Sequence, residues 1–285
     1  MSTELPNVSA VVNGEEKVVF SLPQTPCPKI DSVLWFCLPK SGNIMLSKML
    51  SRLSLHLGMQ PIFVEGNFWE HGLVRSDIPA ETSKIFLPKG YCYGSSLWPE
   101  EYEIPLLGTS KTLVHVRDIR DVLVSLYYSV RNSHPEPGHH KDDNGKVPLG
   151  LKQFRESRAR LEATEIDKAV INMAERGVHR LYHRMMKLAQ SYPVLVTRYE
   201  DVVYDKKAWL QRICDHFDWN ISESFLTELA AEQDIFPDKE TSDSHVRQVH
   251  PGNFRNKLAP ETIQTLDRIF EEEQAFFGYA PERSI

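Results

Sequence analysis

Three short apolar runs, each followed by a polar turn and a helix-like segment, constrain the fold of this chain more than any other feature. The first run covers residues 32–38 (SVLWFCL), ends at Pro39 and precedes a turn at residues 40–42 (KSG). Apolar side chains then recur at helical spacing up to residue 57. A short run without polar alternation is typical of a strand that is buried on both faces. This segment therefore predicts a strand, a tight turn and a helix.

Two further segments repeat this pattern. Residues 111–116 (KTLVHV) precede a predicted helix that starts at about residue 120. Residues 193–197 (PVLVT) precede a predicted helix over about residues 206–217. Strands that alternate with helices predict crossover connections and a parallel sheet. The predicted fold class is therefore α/β, with a central parallel β-sheet flanked by helices.

The chain is predicted to form one domain, because no shift in composition marks a boundary. Residues 1–30 carry scattered prolines and are predicted to be an extended lead-in to a domain over residues 31–285. Residues 134–147 are rich in proline, glycine and charge, which is typical of a loop or lid. The apolar spacing of residues 260–277 predicts an amphipathic C-terminal helix.

Composition excludes several classes of protein. The 285 residues are 41% hydrophobic and 25% charged, which argues against disorder as the main state. A formal net charge of −6 argues against a nucleic-acid binder. The longest apolar run is far shorter than the roughly 20 residues that cross a bilayer, and the N-terminus lacks a secretory signal pattern. The four dispersed cysteines form no CxxC pair, which predicts reduced thiols, no metal site and a cytoplasmic location.

The turn after the first predicted strand has the composition of an anion site. At a strand-to-helix junction, backbone N–H groups and the positive end of the helix dipole face the ligand. Gly42 lets the backbone approach a phosphate closely, and Lys40 supplies a positive charge. The Walker A pattern GxxxxGK[ST] is absent. A polar turn after a buried strand is also common without a ligand, so this turn alone leaves both interpretations open.

A second junction strengthens the anion-site interpretation. Arg117 follows the second predicted strand directly, and Ser125 lies eight residues further on. Strand ends of a parallel sheet face one crevice, where an arginine can form two hydrogen bonds to a phosphate. The alternative is a surface pair of Arg117 with Asp118 or Asp121. Two such junctions on successive strands predict one ligand with two separate phosphate groups. A late segment, residues 246–255 (VRQVHPGNFR), adds two arginines on a loop that contains Pro-Gly.

In chain order, these segments resemble the motifs of the sulfotransferases that use 3′-phosphoadenosine-5′-phosphosulfate (PAPS). The family's first loop reads roughly YPKSGTTW, and residues 38–45 read LPKSGNIM. Its second motif reads roughly RNxxDVxVSxYH, and residues 117–129 read RDIRDVLVSLYYS. Its late loop reads roughly RKGxxGDWK, and residues 247–255 read RQVHPGNFR. Residues 199–201 match the family's YED, and the resemblance extends over about residues 32–279.

The resemblance implies a P-loop-like donor site and direct, metal-free transfer of a sulfuryl group, which releases adenosine 3′,5′-bisphosphate (PAP). The residues implied to bind the 5′-phosphosulfate side are Lys40, Ser41, Gly42, Asn43, Ile44 and Met45. The 3′-phosphate would be bound by Arg117 and Ser125, with Arg247, Gln248 and Gly252 from the late loop. Tyr199 and Phe236 would lie near the adenine. Lys40 would also be catalytic, because its charge would stabilise the departing phosphate. Asn43 and Ile44 stand where the family has two threonines, and Met45 stands where it has a tryptophan.

The catalytic base is the largest departure from the family pattern. Family members carry a histidine in a THLP-like segment, whereas residues 93–99 read YGSSLWP. Glu65, Glu70 and His71, in the sequence VEGNFWEHGL, are the candidate bases, although each could equally be a surface group. His134, His139 and His140 are weaker alternatives.

The sequence therefore predicts a PAPS-dependent sulfotransferase that acts on a hydroxyl, or an amine, of a small molecule. Aromatic residues of the expected acceptor side suggest an apolar or cationic natural product, such as an alkaloid; they are Phe68, Trp69, Tyr91, Tyr93 and Trp98. Nucleic acid and membranes are not expected as partners, and the chain is expected to be a monomer or a homodimer. The alternatives are a P-loop-type small-molecule kinase and a non-catalytic nucleotide-binding relative.

Overall fold

The computed structural model describes most of the chain, which forms two compact units. The described residues are 5–12, 14–73, 75–95, 102–134, 136, 149–234 and 249–281. Unit 1 comprises Met1–Phe36, Leu46–Thr112 and Pro135–Glu156, and unit 2 comprises Cys37–Met45, Leu113–His134 and Ser157–Ile285. Each unit is built from three separate stretches of chain. The assignment of a lead-in over residues 1–30 and one domain over residues 31–285 stays a prediction.

The N-terminal segment forms a β-hairpin that the sequence patterns above do not predict. Strands β1 (Asn7–Val12) and β2 (Glu15–Ser21) pair antiparallel, with an irregularity between Val8 and Ser9. Val8 and Phe20 lie opposite one another, and both are buried. The dipeptide Asn-Gly at positions 13–14 is the signal that could have revealed the hairpin, because it favours tight turns between strands.

The other five strands form one sheet. They are β3 (Val33–Cys37), β4 (Gln60–Phe63), β5 (Tyr91–Gly94), β6 (Thr112–Val116) and β7 (Val194–Arg198), and their order is β4-β5-β3-β6-β7. β5 pairs in parallel with both β4 and β3. Between β3 and β6, Leu34 N–H donates to Lys111 O, and four residues further along both strands, Leu38 N–H donates to His115 O. The predicted α/β class with a central parallel sheet is confirmed.

Helices follow the predicted strands at the predicted places. They are α1 (Asn43–His56), α2 (Val64–Glu70), α3 (Ile119–Tyr128), α4 (Leu149–Glu162), α5 (Ile166–Met173), α6 (His179–Ser191), α7 (Tyr199–Val202), α8 (Lys206–Phe217), α9 (Glu223–Glu232), α10 (Pro260–Ile269) and α11 (Glu271–Phe277). The C-terminal helix is interrupted at Phe270, whose buried ring packs against Tyr182. Within the described part of the chain, no helix is both long and apolar enough to cross a membrane.

A buried ionic cluster in unit 2 ties α3 to the C-terminal segment. The guanidinium of Arg120 is only 2% exposed and makes two hydrogen bonds to Asp118, at 2.9 and 2.6 Å. It also donates to Asp267 at 2.9 Å and to the carbonyl of Ala280 at 3.2 Å, and it lies over the ring of Phe254. Removal of the guanidinium takes a counter-charge from both carboxylates in a poorly solvated site.

We therefore expect Arg120→Ala to lower the free energy of unfolding by about 3–5 kcal/mol, because two carboxylates lose their counter-charge. Urea denaturation measures the change. Lys207→Ala is the matched control, because its ion pair with Glu223 is exposed to solvent, and such pairs contribute at most about 1 kcal/mol. Equal effects of the two substitutions would contradict the role of the buried cluster.

Candidate functional site

The turn after β3 has a left-handed backbone at two positions. Lys40 has a φ of +65° and Gly42 has a φ of +82°. A Cβ atom at Gly42 would lie 3.0 Å from the ring of Tyr199, so this ring packs directly against the glycine. Position 42 therefore requires glycine both for its backbone conformation and for its contact with Tyr199.

Two side chains, His115 in β6 and Arg117 just after it, donate hydrogen bonds to the carbonyl oxygens of this turn. His115 Nε2 donates to the carbonyl of Ser41 at 3.1 Å, and the Thr197 hydroxyl of β7 donates to His115 Nδ1 at 2.7 Å. Arg117 Nη1 donates to the carbonyl of Lys40 at 3.0 Å. The conformation of the turn is thus tied to the two strands that follow it in the sheet. Sequence patterns do not identify His115, since a histidine inside an apolar strand gives no motif.

Three buried polar atoms around this turn have no hydrogen-bond partner: Ser41 Oγ, Asn43 Oδ1 and Arg117 Nε. Buried polar atoms are nearly always paired, so these three leave hydrogen-bonding capacity that a polar ligand or water can fill. Two of the three, Ser41 Oγ and Arg117 Nε, can donate to an anion. Beside them, Ile44 is exposed and Met45 is half-buried in the first turn of α1.

Arg117 is buried between a ring and a carboxylate. Its guanidinium carbon lies 4.3 Å from the centre of the Tyr199 ring, and Nη2 lies 3.5 Å from Asp121 Oδ2. The side chain is only 8% exposed, so the predicted alternative of a surface pair is wrong, although Asp121 is its partner. Burial raises the pKa of Tyr199 to about 12, which keeps the phenol neutral. Its hydroxyl donates to the carbonyl of Val249 at 2.7 Å.

The ammonium of Lys40 donates to the hydroxyl of Ser129 at 3.0 Å. Ser129 starts a single π-helical turn over Ser129–Ser133, directly after α3. Ser125, the serine implied by the family pattern, lies half-buried one turn earlier. Sequence reasoning missed Ser129, although residues four apart on a helix share a face and the spacing to Ser125 could have indicated it.

The late loop is anchored to α3 by Asp121. Its two carboxylate oxygens accept the backbone N–H groups of Gly252 at 2.7 Å and Phe254 at 3.0 Å. Gly252 has a φ of +84°, which favours glycine. The structure thus brings Gly252 to α3, which carries Ser125. Phe236, Arg247 and Gln248 lie outside the described residues, and their predicted contacts stay predictions.

The family match decides the class of protein. Residues 106–278, more than half of the chain, match the sulfotransferase domain family. The chain belongs to that family. The predicted membership of the PAPS-dependent sulfotransferases and the predicted enzymatic activity are confirmed, which favours them over a kinase or a non-catalytic relative. The matched stretch contains Arg117, Ser125 and Tyr199, whereas the turn at residues 38–45 precedes it.

Solved sulfotransferase-fold structures resemble this sulfotransferase at low sequence identity. Retinol dehydratase in complex with androsterone and the inactive cofactor PAP has 16% identity and a TM-score of 0.51, with coverage of 89% of this chain and 82% of that one. Mouse sulfotransferase SULT7A1 complexed with PAP has 15% identity and a TM-score of 0.49, with coverage of 86% and 84%. The similarity to the retinol dehydratase structure supports the fold. A search of curated proteins found no match.

The candidate bases of this sulfotransferase lie in unit 1, on or just after α2. Glu65 accepts a hydrogen bond from the Tyr102 hydroxyl at 3.1 Å, and Glu70 is exposed. His71 Nδ1 lies 2.8 Å from the carbonyl of Asn67, which can only accept, so Nδ1 carries the proton. The lone pair of a neutral His71 is then on Nε2, the arrangement that a general base requires. His134 is described, whereas His139 and His140 are not.

The sulfotransferase should lose stability in acid partly through His115. Burial lowers the pKa of His115 from its ordinary 6.5 to about 3. Between these two values the unfolded chain binds a proton that the folded chain does not, so stability falls as the pH falls through this window. We expect His115→Gln to reduce the slope of unfolding free energy against pH by up to about 1.4 kcal/mol per pH unit between pH 6 and 4.

Urea denaturation at a series of pH values measures this slope. His56→Gln is the comparison variant, because it makes the same change at an exposed position at the end of α1. An unchanged slope in His115→Gln would show that His115 is protonated in the folded protein.

Proposed function

We propose that this sulfotransferase binds PAPS at the turn after β3 and at the end of β6, and transfers its sulfuryl group to a hydroxyl or amine of a small molecule. The observation that supports this assignment is the group of three unpartnered buried polar atoms beside Lys40, which belong to Ser41, Asn43 and Arg117. Donors and positive charge converge there, although the whole chain is acidic. The predicted donor PAPS and product PAP are consistent with the family match.

Arg117 would bind a phosphate through the part of its guanidinium that the protein leaves unpartnered. Nη1 is committed to the carbonyl of Lys40, and Nη2 is near Asp121, whereas buried Nε has no partner. A guanidinium stays charged at every relevant pH, so the site keeps its positive charge. Ser41 would add a hydroxyl donor, and the ring of Tyr199 fixes the plane of the guanidinium.

Lys40 would stabilise the negative charge that develops on the departing phosphate when the sulfuryl group leaves. PAPS, when bound, supplies this group and the leaving phosphate. A positive charge that is already positioned where charge develops lowers the barrier more than it strengthens ground-state binding. The hydrogen bond to Ser129 and the left-handed backbone at position 40 hold the Lys40 ammonium in place before the donor arrives.

Two substitutions separate rate from affinity. We expect Lys40→Met to lower kcat about 10²- to 10³-fold with little change in the Kd for PAP, because its charge acts in the transition state. We expect Arg117→Lys to weaken PAP binding about 10- to 100-fold, because an ammonium cannot reproduce the planar hydrogen-bonding geometry. Transfer from labelled PAPS measures the rate, and calorimetry with PAP measures the affinity.

Lys48→Met and Arg268→Lys are the matched controls, because both residues are exposed, on α1 and α10. Both should retain wild-type rate and affinity. Wild-type behaviour of Lys40→Met and Arg117→Lys would place the donor elsewhere. The same calorimetry is repeated with ATP and magnesium. Tighter binding of ATP than of PAP would contradict the proposal that the donor is PAPS.

We propose that the acceptor is an apolar or a cationic small molecule, such as an alkaloid-like natural product. Of the predicted aromatic residues, Phe68, Tyr91 and Tyr93 are buried core residues of unit 1. Trp69 is 37% exposed and packs edge-to-face against Phe154, with ring centres 6.0 Å apart. Trp98 lies outside the described residues. Sterols such as androsterone, which is bound in the retinol dehydratase structure, are suitable first acceptors together with phenols and alkaloids.

A cytoplasmic location and a monomeric or homodimeric state stay proposals.

His71 is our proposed general base, supported by the hydrogen bond that places its proton on Nδ1. We expect His71→Gln to lower kcat about 10²- to 10⁴-fold while the Kd for PAP stays unchanged. Glu65→Gln and Glu70→Gln are the comparison variants, each removing a charge from the same segment. A large loss of rate in either glutamate variant, with His71→Gln near wild type, would transfer the role to that glutamate.

A further inference from the structure

Two histidines of α6 and two glutamates of α11 form a cluster that the sulfotransferase reaction does not use. Donor atoms of His183, Glu272 and Glu273 all lie within 4.8 Å of one another. His179 lies one turn before His183 on the same helix, and its Nε2 is 3.3 Å from Glu273 Oε1. Two histidines four residues apart on a helix present their imidazoles on one face, as in helical zinc sites. All four residues belong to unit 2.

Glu273 has the most unusual environment of the four. Its side chain is 1% exposed, and both histidines approach the same oxygen, Oε1, His183 Nδ1 at 2.7 Å. The other oxygen, Oε2, is buried and has no hydrogen-bond partner. Among the described residues, these two histidines are the groups that pair with Glu273. A carboxylate removed from water with one oxygen unpaired requires a donor or a cation.

The neighbouring carboxylate makes a cation the better explanation. Glu272 adds a second negative charge at the same place, and it is exposed, so an ion can reach the cluster from solvent. The two histidines are about 40% exposed, so they have room to turn toward an ion. A water molecule would satisfy Oε2, but it would not offset two adjacent negative charges.

We propose that His183, Glu272 and Glu273 bind a divalent transition-metal cation, for which Zn²⁺ is the best fit, and that His179, which lies outside the 4.8 Å group, turns to become the fourth ligand. Imidazole nitrogens with carboxylate oxygens, four ligands in all, suit Zn²⁺, whereas Mg²⁺ and Ca²⁺ prefer oxygen ligands alone. The ion joins α6 to α11. It therefore stabilises the fold and takes no part in sulfuryl transfer. The sequence analysis predicts no metal site. His183 and Glu273 are 90 residues apart, so no local motif links the proposed ligands.

The test is metal titration of the full chain after treatment with a chelator. We expect one Zn²⁺ per chain by calorimetry, a higher Tm with Zn²⁺ than with Mg²⁺, and a visible Co²⁺ spectrum without thiolate-to-metal bands. The double variant His179→Asn, His183→Asn should weaken Zn²⁺ binding at least tenfold and abolish the rise in Tm. These histidines are partly exposed, so this variant tests the site without emptying the core.

Glu273→Gln is a second variant, which keeps the volume of the buried side chain. His56→Asn is the control, since it removes an exposed histidine from α1 and should leave Zn²⁺ binding unchanged. Wild-type Zn²⁺ affinity in the double variant, Co²⁺ bands typical of cysteine ligands, or an equal rise in Tm with Mg²⁺ would each overturn the proposal. None of these variants touches Lys40 or Arg117, so a failure here leaves the proposed function intact.

Discussion

Two hydrogen bonds from β6 and its end to the turn after β3 are the interactions on which the proposed donor site depends. His115 and Arg117 donate to the carbonyls of Ser41 and Lys40. The turn has a left-handed backbone at Lys40 and Gly42. This conformation is unfavourable at Lys40, which has a Cβ, so contacts from outside the turn must stabilise it. Because His115 is buried and neutral, it can donate to the turn while it accepts from Thr197. These hydrogen bonds therefore fix the carbonyl oxygens of the turn.

The charged side chains near this turn are paired locally, so the net charge of the whole chain does not describe their surroundings. Arg117 lies beside Asp121, and Arg120 is enclosed by Asp118 and Asp267. Two of these acids also bind backbone groups, since Asp121 accepts two N–H groups of the late loop and Asp118 caps α3. The formal net charge of −6 describes mainly the surface and says little about the potential around the turn after β3.

The same residues show how far sequence reasoning can go. Residues 38–45 and 117–129 are recognisable because their functional groups lie close together in the chain. The pairing of Ser129 with Lys40 cannot be recognised in the sequence, because 89 residues separate the two and no local pattern links them. Asp121 is predicted only as a surface partner of Arg117, whereas it is buried and anchors the late loop. The hairpin formed by β1 and β2 is not predicted, although the Asn-Gly dipeptide at positions 13–14 is visible in the sequence.

By itself, the sequence determined the three strand–turn–helix units, the family and the residue types of the proposed donor site, because hydrophobic periodicity and turn chemistry are properties of neighbouring residues. Only the tertiary structure decided which groups meet. It brought His115 to the turn, paired Lys40 with Ser129 and left Ser41 Oγ and Arg117 Nε buried without partners. It also placed His183 of α6 against Glu273 of α11. Contacts between residues far apart in the chain depend on packing, which local patterns do not encode.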